Sequence, residues 1–138
     1  MRELFENIVH VGVRSIDEDY AMHANTERIF FVDSLHEDID NAINAINELT
    51  TEKIYLTIDL DVLDPSIMPS VTTPEPNGLS FNETIKIIKG LAEEKRLVGL
   101  DLVELSPIPH FEAPNFTAAK LAYLTLGYFF LKELKEHV

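Results

Sequence analysis

Apolar residues along the chain fall into two rhythms. Four short runs rich in β-branched and other apolar side chains, Ile8–Val13, Ile29–Val32, Ile54–Asp59 and Val98–Leu105, read as strands. Between them the spacing turns helical. Leu35, Ile39, Ala42, Ile43, Ile46 and Leu49 recur on one helix face, and Ser34 with Glu37 has the form of a capping box. Phe81, Ile85, Ile88, Leu91 and Ala92 make a second stripe behind another capping box, Ser80 with Glu83. A last helix is predicted from about Thr117 to Glu136. Strands that alternate with helices and stay apolar along their whole length predict an α/β fold. The expected architecture is one domain over residues 1–138, a parallel sheet of about four strands flanked by helices on both faces.

Composition changes this picture little. With 138 residues, nearly half apolar, the chain has enough interior for one core. Its 24 acidic and 11 basic side chains give a formal charge of -13, with no basic patch, which argues against a nucleic-acid partner. The absence of cysteine excludes disulfides and thiolate metal sites. Met1 to Leu4 do not open a signal peptide, and the most apolar stretch, Leu121–Leu131, is too short to span a bilayer. No membrane partner is expected, and the cytoplasm is the expected compartment.

In parallel sheets functional groups gather where strands end at the carboxyl edge. The run from Ile54 to Asp61 ends an apolar strand with two carboxylates, Asp59 and Asp61, two residues apart. Placing two like charges together is costly unless a cation compensates them, and Mg2+ or Mn2+ prefers oxygen ligands. Taken alone, however, Asp-x-Asp equally describes a solvated turn or a helix cap. Asp64 is expected to cap the turn before Pro65, and Asp101 to be a structural strand residue. His10 reads as a packed or hydrogen-bonded strand histidine, and His110 as a surface or packing residue on a loop that could line the cleft.

The context of Asp59 is distinctive. A loop from Asp64 to Ser80 carries Pro65, Pro69, Pro74 and Pro76 and closes on Gly78-Leu79. This stretch resembles the signature of the ureohydrolase (arginase/agmatinase) superfamily, an apolar strand giving Asp-x-Asp-x-x-Asp-Pro followed by a Pro/Thr/Gly-rich loop, Gly-Leu and a helix. The resemblance continues through Val98 to Pro107, which includes Asp101 and Glu104, and begins more weakly at Val9, Gly12, Arg14 and Ser15. It implies the C-terminal half of an arginase-like fold, most similar to agmatinases. By that resemblance Asp59 would bridge two Mn2+ ions and Asp61 would bind one of them. The metals, about 3.5–4 Å apart, would share a hydroxide that attacks a guanidinium carbon. Glu104 would pair with the substrate guanidinium, whose planar fork suits a carboxylate. Asp17 and Glu18 lie where related enzymes contact the distal end of substrate. The implied reaction is hydrolysis of agmatine to putrescine and urea.

Two earlier motifs of the superfamily, Gly-Gly-Asp-His and Asp-Ala-His-x-Asp, do not occur in this sequence. Asp59 and Asp61 alone would not complete a binuclear site. Three explanations stay open: an N-terminal half on another polypeptide, a truncated gene, or a noncatalytic remnant. The isolated chain is expected to be inactive or nearly so, and an exposed sheet surface predicts self-association or a partner. Two rival chemistries share the Asp-x-Asp pattern. A haloacid-dehalogenase-like phosphotransferase would use Asp59 as nucleophile and Asp61 as acid/base, but leaves the proline-rich loop without a role. An EF-hand fails because Leu63 and Asp64 stand where it needs an oxygen ligand and a glycine.

Overall fold

A computed structural model describes residues 7–16 and 25–136, with side chains characterised through Leu131. Among the described residues there are four strands: β1 (His10–Val13), β2 (Ile29–Phe31), β3 (Lys53–Asp59) and β4 (Arg96–Val103). Helices α1 (Val32–Glu37) and α2 (Ile39–Leu49) link β2 to β3, α3 (Phe81–Glu94) links β3 to β4, and α4 (Ala113–Glu136) closes the sequence. The predicted strands and helices are present with boundaries shifted by a few residues, except that the helix expected over Leu35–Leu49 is split into two. The β3–α3–β4 unit returns the chain parallel to itself, as a helical crossover permits.

The helix ends show which local rules prevailed. At α3 the predicted capping box forms in full: Ser80 Oγ accepts from the Glu83 amide at 3.2 Å, and Glu83 Oε2 accepts from the Ser80 amide at 2.8 Å. The Ser34–Glu37 box does not form. The Ser34 hydroxyl instead donates to the Phe31 carbonyl at 2.7 Å, and the predicted single helix breaks at Asp38. Asp38 supplies the cap for α2, its carboxylate accepting from the Asn41 amide at 3.1 Å. Helix α4 starts earlier than predicted, at Ala113, because Pro114 falls in the first turn, where its missing N–H costs nothing.

The expectation of one four-stranded sheet is corrected. Among the described residues the strands form two separate parallel pairs, β1 with β2 and β3 with β4. Helices flank the strands as expected, but among the described residues they cover only one face of the β3–β4 pair. Ile54, Leu56 and Ile58 of β3, with Leu97, Leu100 and Leu102 of β4, point into a core shared with α3 and α4. The opposite face carries Tyr55 and Val98, each 61 % exposed, and Val103. Apolar composition along a strand does not by itself say that both faces are covered. The core centres on Leu35, Ile46, Leu60, Leu63, Met68, Leu79 and Leu121, all fully buried. Among the described residues no helix is long and apolar enough to cross a membrane.

Candidate functional site

Strand β3 ends at Asp59 and turns at once into a 3-10 turn, Leu60–Val62. Asp59 caps that turn, its Oδ1 accepting from the Asp61 amide at 2.8 Å. Buried Leu60 and Leu63 anchor the turn from below, so the intervening Asp61 is held at the strand end. Strand β4 runs beside β3 with Asp59 opposite Val103, which brings the next residue, Glu104, to the same carboxyl edge. The sheet therefore gathers Asp59, Asp61 and Glu104.

Their electrostatics fit a cation-seeking site. Burial pushes the Asp61 carboxyl up from its ordinary value, and the charges of Asp59 and Glu104 push it further. Arg14 and the Thr73 amide oppose the rise. Asp61 Oδ1 is buried without a hydrogen-bond partner among the described residues. A buried carboxylate oxygen left unpaired is costly in the absence of a compensating ligand, and two adjacent oxygen donors suit a hard divalent ion such as Mn2+. The donor set thus fits one side of a metal. Among the described residues no group of three or more His, Asp or Glu side chains is arranged to hold a metal ion.

Glu104 has a left-handed backbone, φ 66°, a conformation that a non-glycine side chain adopts at a cost of about 1–2 kcal/mol. The conformation turns the chain out of β4 into Leu105 and Ser106. Leu105 bridges to Val71, and the Ser106 amide donates to the Ser70 carbonyl at 2.8 Å, stitching the β4 exit to the proline-rich loop. Neither the strain nor the stitching had a signal in the sequence.

Asp64 behaves as the turn cap the sequence suggests. It accepts from the Ser66 amide at 3.0 Å, the Ser66 hydroxyl at 2.5 Å and the Gly78 amide at 3.1 Å, and these bonds, the Ser66 hydroxyl foremost, lower its carboxyl pKa. Asp101 lies within β4 and accepts from the Tyr55 hydroxyl at 3.0 Å, which raises the phenol's pKa. His10 lies exposed on β1, and His110 is exposed on the loop before α4 with φ 64°. Asp17 and Glu18 lie outside the described residues.

The chain is thus a parallel-stranded α/β protein with Asp59, Asp61 and Glu104 at the carboxyl edge of the β3–β4 pair and a proline-rich loop stitched to that edge. The comparisons narrow that class to one family. The model of the arginase family matches residues 2–127, and the chain belongs to that family. It is 37 % identical over 125 residues to an N(1)-aminopropylagmatine ureohydrolase of Thermus thermophilus, covering 87 % of this chain and 41 % of that protein. It is 32 % identical over 127 residues to an agmatinase of Pyrococcus horikoshii, covering 92 % of this chain and 44 % of that protein. The agmatine ureohydrolase structure of Thermoplasma volcanium superposes with a TM-score of 0.81 at 28 % identity, over 96 % of this chain and 45 % of that one. The chain therefore spans less than half the length of the relatives it matches, and its fold is a partial arginase-like α/β fold.

Proposed function

We propose that this chain supplies the carboxylate-bearing C-terminal part of a Mn2+-dependent ureohydrolase site that cleaves agmatine to putrescine and urea. The buried, unpaired Asp61 oxygen beside Asp59 and Glu104, in a member of the arginase family, carries this reading. Asp59 and Asp61 would hold the metal with oxygen donors. When bound, Mn2+ would supply Lewis acidity and make water nucleophilic at neutral pH. The carboxylate of Glu104 would orient the guanidinium, whose planar donors match a carboxylate's two oxygens. Water adds to the guanidinium carbon, the bond from that carbon to the substrate's alkyl nitrogen breaks, and a proton passes to the departing amine. Asp17 and Glu18 are proposed to meet the amine at the far end of the substrate.

Agmatine is the preferred substrate because the sequence around β3 is most like that of agmatinases, and several relatives act on agmatine or its aminopropyl derivative by name. The missing ligands are proposed to come from the family's N-terminal part. Family membership leaves the phosphotransferase alternative without support, and Leu63, buried at 1 %, cannot serve as a calcium-loop ligand.

Urea release from agmatine, arginine and guanidinobutyrate, measured with bound Mn2+ for the isolated chain and after adding a polypeptide carrying the family's N-terminal part, tests the proposal. The isolated chain is expected to bind Mn2+ weakly and turn over negligibly. Addition of the complementary part should restore activity, highest on agmatine, and Asp59→Asn should abolish it. Two tightly bound metals with rapid turnover by the chain alone would overturn the proposed incompleteness. A fully metallated, reconstituted form inactive on all three substrates would overturn the ureohydrolase reading.

A further inference from the structure

The residue that leaves β1 reaches across to the turn that carries Asp61. Arg14 Nη1 donates to the Val62 carbonyl at 3.1 Å, and Arg14 Nη2 donates to the Asp61 carbonyl. Strands β1 and β3 share no sheet, so among the described residues this fork ties together two strand pairs that no ladder joins, at the edge where the carboxylates meet. The surroundings are shaped to admit it. A Cβ on Gly78 would meet Arg14 Nη1 and the backbone of Leu63 and Asp64, and a Cβ on Gly12, at φ 83°, would strike Val62 Cγ2. The turn is tied on its other side by the Leu79 amide to the Val62 carbonyl at 2.9 Å and the Asp64 amide to the Leu79 carbonyl at 3.0 Å. Next along the chain, the Ser15 hydroxyl lies 2.7 and 2.8 Å from the two Glu75 oxygens and holds the proline-rich loop, two residues beyond the Thr73 amide that supports Asp61.

We propose that Arg14 is a positioning residue for the Asp61 carboxylate: its planar two-donor fork, gripping consecutive carbonyls, sets how the turn presents that carboxylate to a cation. A charge alone would not suffice. A lysine ammonium is a point donor without the flat fork that spans two neighbouring carbonyls. The cation part of the proposal rests on the ureohydrolase reading; the clamp itself does not.

The test is backbone amide exchange followed by NMR in the full chain, for the wild type, Arg14→Lys and Arg14→Ala, together with Mn2+ titration read by paramagnetic broadening of the Asp61 amide. In both variants the Asp64 and Leu79 amides should exchange about tenfold faster, the scale of a lost hydrogen bond from a charged group, while those of Ile88 and Leu91 in α3 hold their rates. The Mn2+ midpoint should rise about tenfold in both, in proportion to the loosened turn. Wild-type exchange in Arg14→Lys would overturn the fork. Equal acceleration in α3 and the turn would show that Arg14 merely supports global stability and would overturn positioning. A loosened turn with an unchanged Mn2+ midpoint would sever the clamp from the cation. Turn-specific loosening in a chain whose wild type shows no Mn2+ response would uphold the clamp and count against the ureohydrolase reading instead.

Discussion

At the scale of single residues, Asp61 shows a site working against its own fold. Burial and the neighbouring charges of Asp59 and Glu104 disfavour its ionised form, so in the metal-free chain its carboxylate destabilises the folded state above the raised pKa. As the pH falls through that raised value toward the ordinary carboxylate value, protonation relieves the penalty. Asp61→Asn should therefore stabilise the metal-free chain at neutral pH by on the order of 1 kcal/mol or less, seen as a higher Tm, and remove the stabilisation produced by added Mn2+. Thermal unfolding with and without Mn2+ checks both halves, and a lower Tm in the metal-free variant would contradict the account. Arg14 shows the opposite relation. It reinforces the turn and favours the charged carboxylate together.

At the scale of elements, α3 is where sequence rules and packing meet most directly. Gly90 lies inside this helix, where propensity alone makes alanine better by about 1 kcal/mol. Yet a Cβ there would strike the branched methyl Ile43 Cγ2 on α2, and the Asn47 amide nitrogen also donates to the Gly90 carbonyl at 3.2 Å. Overpacking typically costs about 1–3 kcal/mol, so Gly90→Ala should be net destabilising, as the urea unfolding midpoint would show. The cap of the same helix has a pH signature. Burial would raise the Glu83 pKa, but its bonds with Ser80 and with His36 Nδ1, 2.9 Å away, outweigh that and lower it. A depressed folded pKa means the contribution is fully present above the ordinary glutamate value and is lost as pH falls through the depressed one. Glu83→Gln should thus be less stable than wild type near neutrality and converge with it in acid, which unfolding curves across that range would establish.

On the scale of the whole molecule, much apolar surface lies exposed among the described residues. Phe116, Tyr123 and Phe130 on α4 are 76, 73 and 54 % exposed, and the open face of the β3–β4 pair adds Tyr55 and Val98. Patches of this kind mark contact surfaces or association liabilities. Concentration-dependent self-association is expected for the isolated chain. Phe116→Ser combined with Phe130→Ser should shift sedimentation toward the monomer at little cost in Tm, since both side chains already face outward. A monomeric wild type across a hundredfold range of concentration, of order micromolar and above, would contradict this.

The local chemistry of the chain was legible before its fold. Apolar, β-branched runs marked every described strand and helical spacing marked α2 and α3, because apolar spacing is a direct consequence of which face is buried. The Asp59–Asp61 pair, the proline-rich loop and Glu104 pointed to the arginase family from sequence, since strand-end carboxylates and prolines leave an ordered trace along the chain. What only tertiary structure decided depends on residues far apart in sequence. The division of the strands into two pairs, the open face bearing Tyr55, the strained Glu104 and the reach of Arg14 to a turn 47 residues away have no local pattern to betray them. Ser34 shows the converse: a sound local signal for a cap yields when Asp38 offers the backbone a break and a better-placed carboxylate. Sequence determines which segments must be buried and which side chains are chemically competent; packing alone decides which of them meet.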